Sequence, residues 1–321
     1  MLCDEIVRDG ITGSSLFPSD GLDRIIDRIK GAVKFNLTPE FSQIADALAT
    51  DYTQISKALE FCRLPYPEIW IEFPQSGRPH FNEGDNPKAW QARPERVGFL
   101  LKATRPDMSA FKAHMFWTLR SPVTNQLERC VSFLAIQFDM TNRDKDRASQ
   151  EEVTSNAPHH SMWWLKAKIE DRKRLINVVQ ACEPDYFSPL FHSNVDRATS
   201  ITLWTMANQD WAGETQFLES MLALLNCRNV HQTEYVDHTQ FNKKRASRGK
   251  PPLLSYHIVK IHAHHIQRAT GNSQSTDHRA LRQHFVIGHF KNRRTGLFFW
   301  RPFTRGDRSR GRVMKDYEME V

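Results

Sequence analysis

Four segments in which apolar and polar residues alternate follow one another between residues 66 and 140. Turn-forming sequences lie between them, including Arg105-Pro106-Asp107 and Ser121-Pro122. The four predicted strands are residues 68–73, 96–102, 110–119 and 130–138. Short connections of this kind join antiparallel neighbours, because a parallel pair needs a crossover of a dozen or more residues. The pattern therefore predicts an antiparallel β meander over residues 66–140.

The chain returns to strand-like sequence near its C-terminal end. The predicted strands there are residues 256–262, 283–290 and 296–300. We expect the basic segment 241–321 to complete the sheet of residues 66–140, since each half alone would leave an apolar face bare. The predicted fold class is α+β: a mostly antiparallel sheet with an N-terminal helical segment and a helical middle insertion.

Helical periodicity marks the two remaining regions. In residues 1–65, apolar residues spaced from Leu22 to Ile29 predict one helix, and Thr38-Pro39-Glu40 is a typical start for a second. Residues 141–240 combine a polar linker with predicted helices near 163–179 and 215–225. These regions are the N-terminal helical segment and the helical middle of the predicted fold.

The helix after Thr38 and a third one starting at Asp51 have the spacing of a helix-turn-helix. Ala49 stands where that motif usually has glycine, whose backbone accepts positive φ. Asp46, Asp51 and Glu60 would oppose DNA phosphates, and few cations compensate. We therefore favour a structural helical hairpin over a DNA-reading motif. The residues expected to be buried in that hairpin are Ile44, Leu48, Ile55 and Leu59.

Positive charge is concentrated in the last quarter of the chain. Residues 241–315 contain eighteen Lys and Arg against two acids, Asp277 and Asp307, which gives a net charge of +16. The whole chain carries +7, so the rest of it carries −9. Such polarisation indicates the kind of partner rather than the fold.

The basic segment divides into three pieces. They are a predicted loop at residues 242–253, a predicted hairpin at 289–300 and a loop rich in Arg and Gly at 301–312. Gly249 and Pro251-Pro252 disfavour a helix in the first piece. The hairpin is expected to turn near Thr295-Gly296.

Cations and aromatic residues occur together in this segment. Lys and Arg gain affinity for phosphates by releasing condensed counterions, and aromatic rings beside them stack on unpaired bases. The combination predicts nucleic-acid binding, to duplexes or single strands, with an acidic host protein or a merely solvated face as alternatives. The predicted contact residues are Lys243, Lys244, Arg245, Arg248, Lys250, Lys291, Arg293, Arg294, Arg301, Arg305, Arg308 and Arg310.

Histidines are also frequent here. His262 and His264 have a spacing that a metal could use, but no Cys or carboxylate pattern accompanies them, so we predict no metal and no cofactor. A nuclease with a His general acid or base beside a phosphate-stabilising cation is an alternative. Its candidate groups are His284, His289, Lys291 and Arg294. No recognisable motif supports catalysis, and we expect binding rather than an enzyme.

Several negative features narrow the class of protein. The sequence has no run of 18 apolar residues, and Met1–Glu5 has neither a basic nor an apolar leader, so we expect no membrane span and no secretory signal. The cysteines are odd in number and form no C-x-x-C pair, which predicts buried thiols in a reducing compartment. They are Cys3, Cys62, Cys130, Cys182 and Cys227.

Short segments scattered along the chain carry one family resemblance. They are Leu64–Phe73, Asn242–Leu253, Gly288–Lys291, Phe299-Trp300, Arg305-Gly306-Asp307 and Lys315-Asp316-Tyr317. In this order they resemble conserved hypothetical proteins encoded by tailed bacteriophages, prophages and their bacterial hosts. The resemblance covers mainly residues 64–100 and 240–320. It implies a mobile-element context and the bacterial cytoplasm, and it contributes no catalytic residues because the family has no established activity.

The residues and the resemblance together predict a non-enzymatic nucleic-acid-binding protein of a phage or prophage, acting in regulation or in takeover of the host. Three alternatives stay open. They are an interaction module that inhibits a host complex through its basic face, a virion component and a nuclease.

Overall fold

The structure is a computed structural model. It describes residues 1–12, 19–49, 55, 58–78, 94–121, 125–141, 180–181, 211, 214–261, 282–286, 289–300, 303–305 and 307–313. Its helices are α1 (Leu2–Asp9), α2 (Ser19–Gly31), α3 (Pro39–Ala49), α4 (Glu214–Leu225) and α5 (Thr239–Ala246), with a 3-10 turn at Gln75–Gly77. The predicted helix at 163–179 lies outside the described residues.

Strands in the described residues form one large sheet and two small ones. The N-terminal and middle strands are β1 (Val33–Leu37), β2 (Glu68–Pro74), β3 (Pro94–Ala103), β4 (Ala110–Arg120), β5 (Leu127–Asp139), β6 (Gln180–Ala181) and β7 (His231–Val236). The C-terminal strands are β8 (Tyr256–Ile261), β9 (Arg282–Val286), β10 (His289–Arg293), β11 (Gly296–Trp300), β12 (Phe303–Arg305) and β13 (Asp307–Val313). Eight strands pair in the order β6–β5–β4–β3–β2–β1–β8–β7.

The predicted meander is confirmed, and so is the α+β class. Strands β2, β3, β4 and β5 follow one another as antiparallel neighbours. Among the described strands of the eight-stranded sheet, β1 alone makes parallel pairs, with β2 on one side and β8 on the other. The sheet is therefore mostly antiparallel, with a short parallel centre.

Strand β1 corrects the prediction that residues 1–65 are helical throughout. Its five residues alternate between apolar and polar types, but Lys34 is an unusual residue for a central strand. The structure shows how Lys34 is accommodated: its ammonium donates hydrogen bonds to the carbonyls of Lys30 (2.8 Å) and Ala32 (2.6 Å) at the end of α2. Burial lowers the pKa of this ammonium. A strand stabilised by such a contact is hard to recognise in the sequence alone.

The C-terminal strands are divided among the three sheets. Strand β8 joins the eight-stranded sheet through β1, as expected of a segment that completes it. Strands β10 and β11 form a separate antiparallel hairpin, and β9 pairs with β12 and β13 in a third sheet. Of the described strands β8 to β13, five therefore belong to the two small sheets and not to the large one. The single strand predicted at 283–290 spans β9 and the start of β10.

Helices cover the two faces of the large sheet. On one face, Phe73 and Phe99 lie 6.0 Å apart, and the α4 residue Phe217 packs edge-on against Phe73 at 4.8 Å. On the other face, the ring of Trp70 lies so close to Gly98 that a Cβ there would be 2.3 Å from it. Helix α1 packs on this second face, where its first amides bind Glu72 beside Trp70. The sheet is therefore the middle of three layers, and its central strands are buried on both sides.

A buried carboxylate joins α1 to the sheet. Glu72 is 0% exposed, and one of its oxygens accepts from the backbone amide of Leu2 (3.1 Å) and from Arg96. The other accepts from the amide of Cys3 (3.1 Å) and from the indole of Trp70 (2.9 Å). The first amides of a helix lack intrahelical partners, and a carboxylate there also interacts favourably with the helix dipole. Glu72 therefore has a structural role.

A second buried cluster of charges joins α3 to α4. The guanidinium of Arg78 contacts Asp46 of α3 at 3.2 Å and Glu214 of α4 at 2.5 Å, and it lies 3.8 Å from the ring centroid of Phe217. Burial raises the pKa of Glu214, and Arg78 opposes that rise. Asp46, named as a charge that would oppose DNA in a DNA-reading motif, is thus buried in the protein.

The other residues of the predicted hairpin fit a structural role. Leu48, Ile55 and Leu59 are buried as predicted, whereas Ile44 is half-buried. Ala49, the predicted turn residue, is the last residue of α3, and residues 50–54 lie outside the described residues. Buried Asp46 removes one of the charges that a DNA-reading surface would have exposed.

Candidate nucleic-acid interface

The β10–β11 hairpin forms where the sequence predicts it. Arg293 faces Gly296 across the turn, and Gly296 has φ of +126°, a conformation that residues with a Cβ rarely adopt. A Cβ at Gly296 would also lie 2.9 Å from Nε of Arg228. Glycine therefore allows both the turn and its close approach to the segment after α4.

One face of the hairpin belongs to the protein core. Leu297 and Phe299 are 4% and 5% exposed, and Phe290 packs on Phe299 with ring centroids 5.0 Å apart. The side chain of Asn229 donates to the carbonyl of Phe299 (2.8 Å) and accepts from its amide (3.0 Å). The hairpin is therefore held in place by apolar packing and by the two hydrogen bonds between Asn229 and Phe299.

The opposite face of the hairpin carries cations and aromatic rings. Alternation places His289, Lys291 and Arg293 on this face, and the strand register sets them across from Trp300, Phe298 and Gly296. The guanidinium carbon of Arg293 lies 5.5 Å from the ring centroids of both Phe298 and Trp300. Trp300 is 42% exposed, and Lys291 and Arg293 are exposed. We call these five side chains, His289, Lys291, Arg293, Phe298 and Trp300, the outer hairpin face.

Helix α5 carries the first group of predicted contact residues. Residues 242–253 were predicted as a loop, but Lys243, Lys244 and Arg245 are helical, and the loop is confined to the residues after Ala246. Asp237, just before the N-cap residue His238, accepts from the amide (2.9 Å) and hydroxyl (2.6 Å) of Thr239, the first helical residue. These hydrogen bonds lower the pKa of Asp237. They fix the backbone where α5 begins.

The segment that connects α5 to β8 is compact. Asn242 makes a pair of 2.8 Å hydrogen bonds with the backbone of Leu253, and Nε of Arg245 donates to the carbonyl of Pro251 at 2.8 Å. Gly249 has φ of +65° in the turn between them. Lys243, Lys244, Arg248 and Lys250 remain exposed on its surface.

The two basic groups attach to opposite ends of β7. The hairpin binds to Arg228 and Asn229, just before His231 begins the strand, whereas α5 starts three residues after Val236 ends it. The six residues of β7 span roughly 20 Å at the usual rise per residue. Because β7 is the last strand in the sheet order, both groups flank one edge of the sheet.

The other predicted contact residues lie further along the C-terminal segment. Arg305 belongs to β12, and Arg308 and Arg310 belong to β13, which corrects the prediction of a loop at 301–312. Arg301 lies outside the described residues. Arg294 is exposed in the turn of the hairpin.

The four residues named for a possible nuclease occupy different places. His289 and Lys291 share the outer hairpin face, and Arg294 lies in the turn of the hairpin. His284 belongs to β9 and pairs with Arg305 in another sheet. His262 and His264 lie outside the described residues. In the described part of the chain, no three His, Cys, Asp or Glu side chains come together as metal ligands.

Four of the five cysteines lie in the described residues, and each is a buried free thiol. Burial raises the pKa of Cys3 and of Cys227, so neither thiol is ionised at neutral pH. Cys182 lies outside the described residues.

Two kinds of site residue could not be found in the sequence. Asn229, which positions the hairpin, lies 70 residues from its partner Phe299. Tyr235, 59% exposed on β7, belongs to a strand that we had assigned to the helical middle. The β-branched and aromatic residues of 231–236 were the one signal available for that strand.

Comparison with protein-family models, with curated proteins and with solved structures found no match. No helix among the described residues combines the length and the apolar character that a membrane span requires.

Proposed function

We propose that this chain binds nucleic acid through the outer hairpin face and helix α5. The observation that carries the proposal is the two-sided hairpin: its inner face is buried, and its outer face presents cations and aromatic rings together. Residues 289–300 include no acid. A polyanion is the partner whose charge this face complements.

The chemistry of the outer hairpin face suits a nucleic-acid backbone. Lys291 and Arg293 can each neutralise a phosphate and release its condensed counterions. The guanidinium of Arg293 lies near two rings, and a guanidinium held beside rings can still donate its N–H groups to a phosphate. Trp300 offers an exposed ring on which a base can stack.

The anchoring of the hairpin favours binding over a merely solvated surface. Side chains on a free loop lose conformational entropy when they are immobilised by a ligand. The contacts of Asn229, Leu297 and Phe299 already fix the hairpin backbone, so part of that loss is avoided.

The biological setting is proposed from the resemblance of residues 64–100 and 240–320. A phage or prophage protein that binds nucleic acid in the bacterial cytoplasm would act on host or phage genomes or transcripts, in regulation or in takeover of the host. The basic C-terminal segment that carries the resemblance also contains the outer hairpin face.

A binding titration with a charge-matched control tests the proposal. The affinity of labelled single- and double-stranded DNA and RNA is measured at several salt concentrations for three proteins: wild type, the triple variant Lys291→Ala, Arg293→Ala, Arg294→Ala, and a control triple variant Arg8→Ala, Lys30→Ala, Arg120→Ala. The control removes equally many exposed cations from elsewhere on the surface.

We expect the hairpin variant to bind more weakly, with the slope of log affinity against log salt reduced by roughly two to three units. The control variant should keep both the affinity and the slope. Equal losses of affinity in the two variants would mean that binding depends on the net charge of the protein and not on the hairpin. Absent or salt-insensitive binding would overturn the proposal in favour of an acidic protein partner, and loss of intact oligonucleotide with time would indicate a nuclease.

A further inference from the structure

A row of four rings crosses one end of the large sheet. Tyr66 lies 6.2 Å from Phe35 of β1, Phe35 lies 5.4 Å from His257 of β8, and His257 lies 4.9 Å from Tyr235 of β7, measured between ring centroids. The register accounts for the row, because Phe35 is paired with His257 and His257 with Tyr235. We call these four residues the aromatic row.

The ends of the aromatic row are open to solvent. Tyr235 is 59% exposed and Tyr66 is 43% exposed, whereas Phe35 beneath them is 6% exposed. The aromatic residues Phe73 and Phe99 on β2 and β3 are 0% exposed. The row therefore differs from the core of the same sheet, because large rings are left accessible at both of its ends.

The aromatic row lies beside the cations of α5. Tyr235 and His257 are each one residue from the point where β7 and β8 connect through α5. Strand β2 runs parallel to β1 with Val33 opposite Ile69, so Tyr66, just before β2, is at this same end. The exposed residues Lys243, Lys244, Arg248 and Lys250 belong to the connection.

We propose that the aromatic row is a stacking platform for unpaired bases of a single-stranded nucleic acid, with the α5 cations neutralising its phosphates. The inference rests on the proposed function and adds the class of ligand to it. Rings stack on the faces of bases, and a duplex hides those faces between neighbouring base pairs. Exposed rings beside a basic helix therefore favour single strands over duplexes.

The platform also explains how one ligand could reach both basic groups. The edge strand β7 connects the hairpin to α5 over roughly 20 Å, and Tyr235 lies on that strand. A flexible single strand can follow such an edge and contact the outer hairpin face and the aromatic row together.

A pair of oligonucleotides with equal charge tests the platform. One is an ordinary single-stranded DNA, and the other has the same length with abasic sites in place of most bases. Affinities are measured for wild type, Tyr66→Ala/Tyr235→Ala, Tyr66→Phe/Tyr235→Phe and Phe61→Ala. Phe61 is 37% exposed outside the row and serves as a matched control.

Wild type should bind the ordinary strand about tenfold or more tightly than the abasic strand, since each lost stack weakens binding by roughly fivefold or more and the platform offers more than one stack. The double Ala variant should lose most of this preference. The double Phe variant and Phe61→Ala should keep it, because the row retains its rings in both.

Equal binding of the two oligonucleotides by wild type would overturn the platform and leave the proposed function standing. Preference for a duplex over the ordinary strand would overturn it as well. Absence of binding to any nucleic acid would overturn the proposed function itself, and the platform with it.

Discussion

Replacing Glu72 with Gln should destabilise the protein strongly although it changes only one atom of the side chain. Each carboxylate oxygen accepts from two residues: one from Leu2 and from two nitrogens of Arg96, the other from Cys3 and Trp70. The amide nitrogen of Gln is itself a donor, so in either orientation it faces at least two N–H groups. Those groups then lose their acceptor in a site where Glu72 is 0% exposed.

The magnitude follows from the number of orphaned donors. A buried donor without a partner costs about 1–3 kcal/mol, and the loss of the carboxylate charge beside Arg96 adds to this. Arg96 is 29% exposed, so water can compensate part of its loss. We therefore expect Glu72→Gln to lower the free energy of unfolding by about 3–5 kcal/mol.

Urea unfolding followed by circular dichroism measures this loss, and amide hydrogen exchange measures it locally. The amides of Leu2 and Cys3 should exchange faster in the variant because α1 is released from the sheet. The control is Glu234→Gln, since Glu234 is 58% exposed and pairs with Lys260 at the surface. A loss below about 1 kcal/mol with unchanged exchange at α1 would refute the role assigned to Glu72.

Two further outcomes are expected. Stability should fall as the pH is lowered through about 6.5, by up to about 1.4 kcal/mol per pH unit for His114, because burial lowers the pKa of this imidazole well below its ordinary value and the unfolded chain takes up the proton first. Burial also lowers the pKa of His231, which adds to the loss in the same direction; a urea midpoint that stays constant from pH 8 to pH 5.5 would contradict this. Asn229→Ala should weaken nucleic-acid binding about tenfold, because it releases the hairpin without removing any charge. The control Asn226→Ala breaks hydrogen bonds to Arg63 instead. It should reduce stability and leave the affinity of the folded protein for nucleic acid unchanged.

Local patterns predicted the parts of the fold that depend on neighbours in the chain. The meander of β2 to β5 follows from alternation and short turns. The β10–β11 hairpin follows from Thr295-Gly296 between two alternating runs. In both cases the residues that decide the structure lie within a few positions of one another, so the sequence shows them together.

The parts that were missed depend on distant partners or on competing signals. Strand β1 places Lys34 in the sheet centre, which is possible because carbonyls at the end of α2 accept its hydrogen bonds. Helix α5 was not predicted because of its adjacent cations and the following prolines, although Asp237 accepts a hydrogen bond from the first helical amide. Arg78 and Glu214 are 136 residues apart, and no local sequence pattern predicts that they pair.

The candidate site likewise has one part that the sequence predicted and another that it did not. Alternation within 289–300 places Lys291 and Arg293 on one face, and the structure shows the rings of Phe298 and Trp300 beside Arg293. The aromatic row could not be predicted, because Tyr66, Phe35, His257 and Tyr235 come from four separate segments that only the sheet register brings together.

Photo-crosslinking tests the central claim most directly, because it identifies the residues that touch the ligand. A single-stranded oligonucleotide carrying photoreactive bases is bound to the wild-type protein and irradiated, and the modified peptides are identified by mass spectrometry. We predict adducts within residues 289–300, at Phe298 or Trp300, and within the segments that contain Tyr66 and Tyr235. Adducts confined to α1, α2 and the outer strands β4 and β5, on a protein that binds the oligonucleotide, would contradict this prediction.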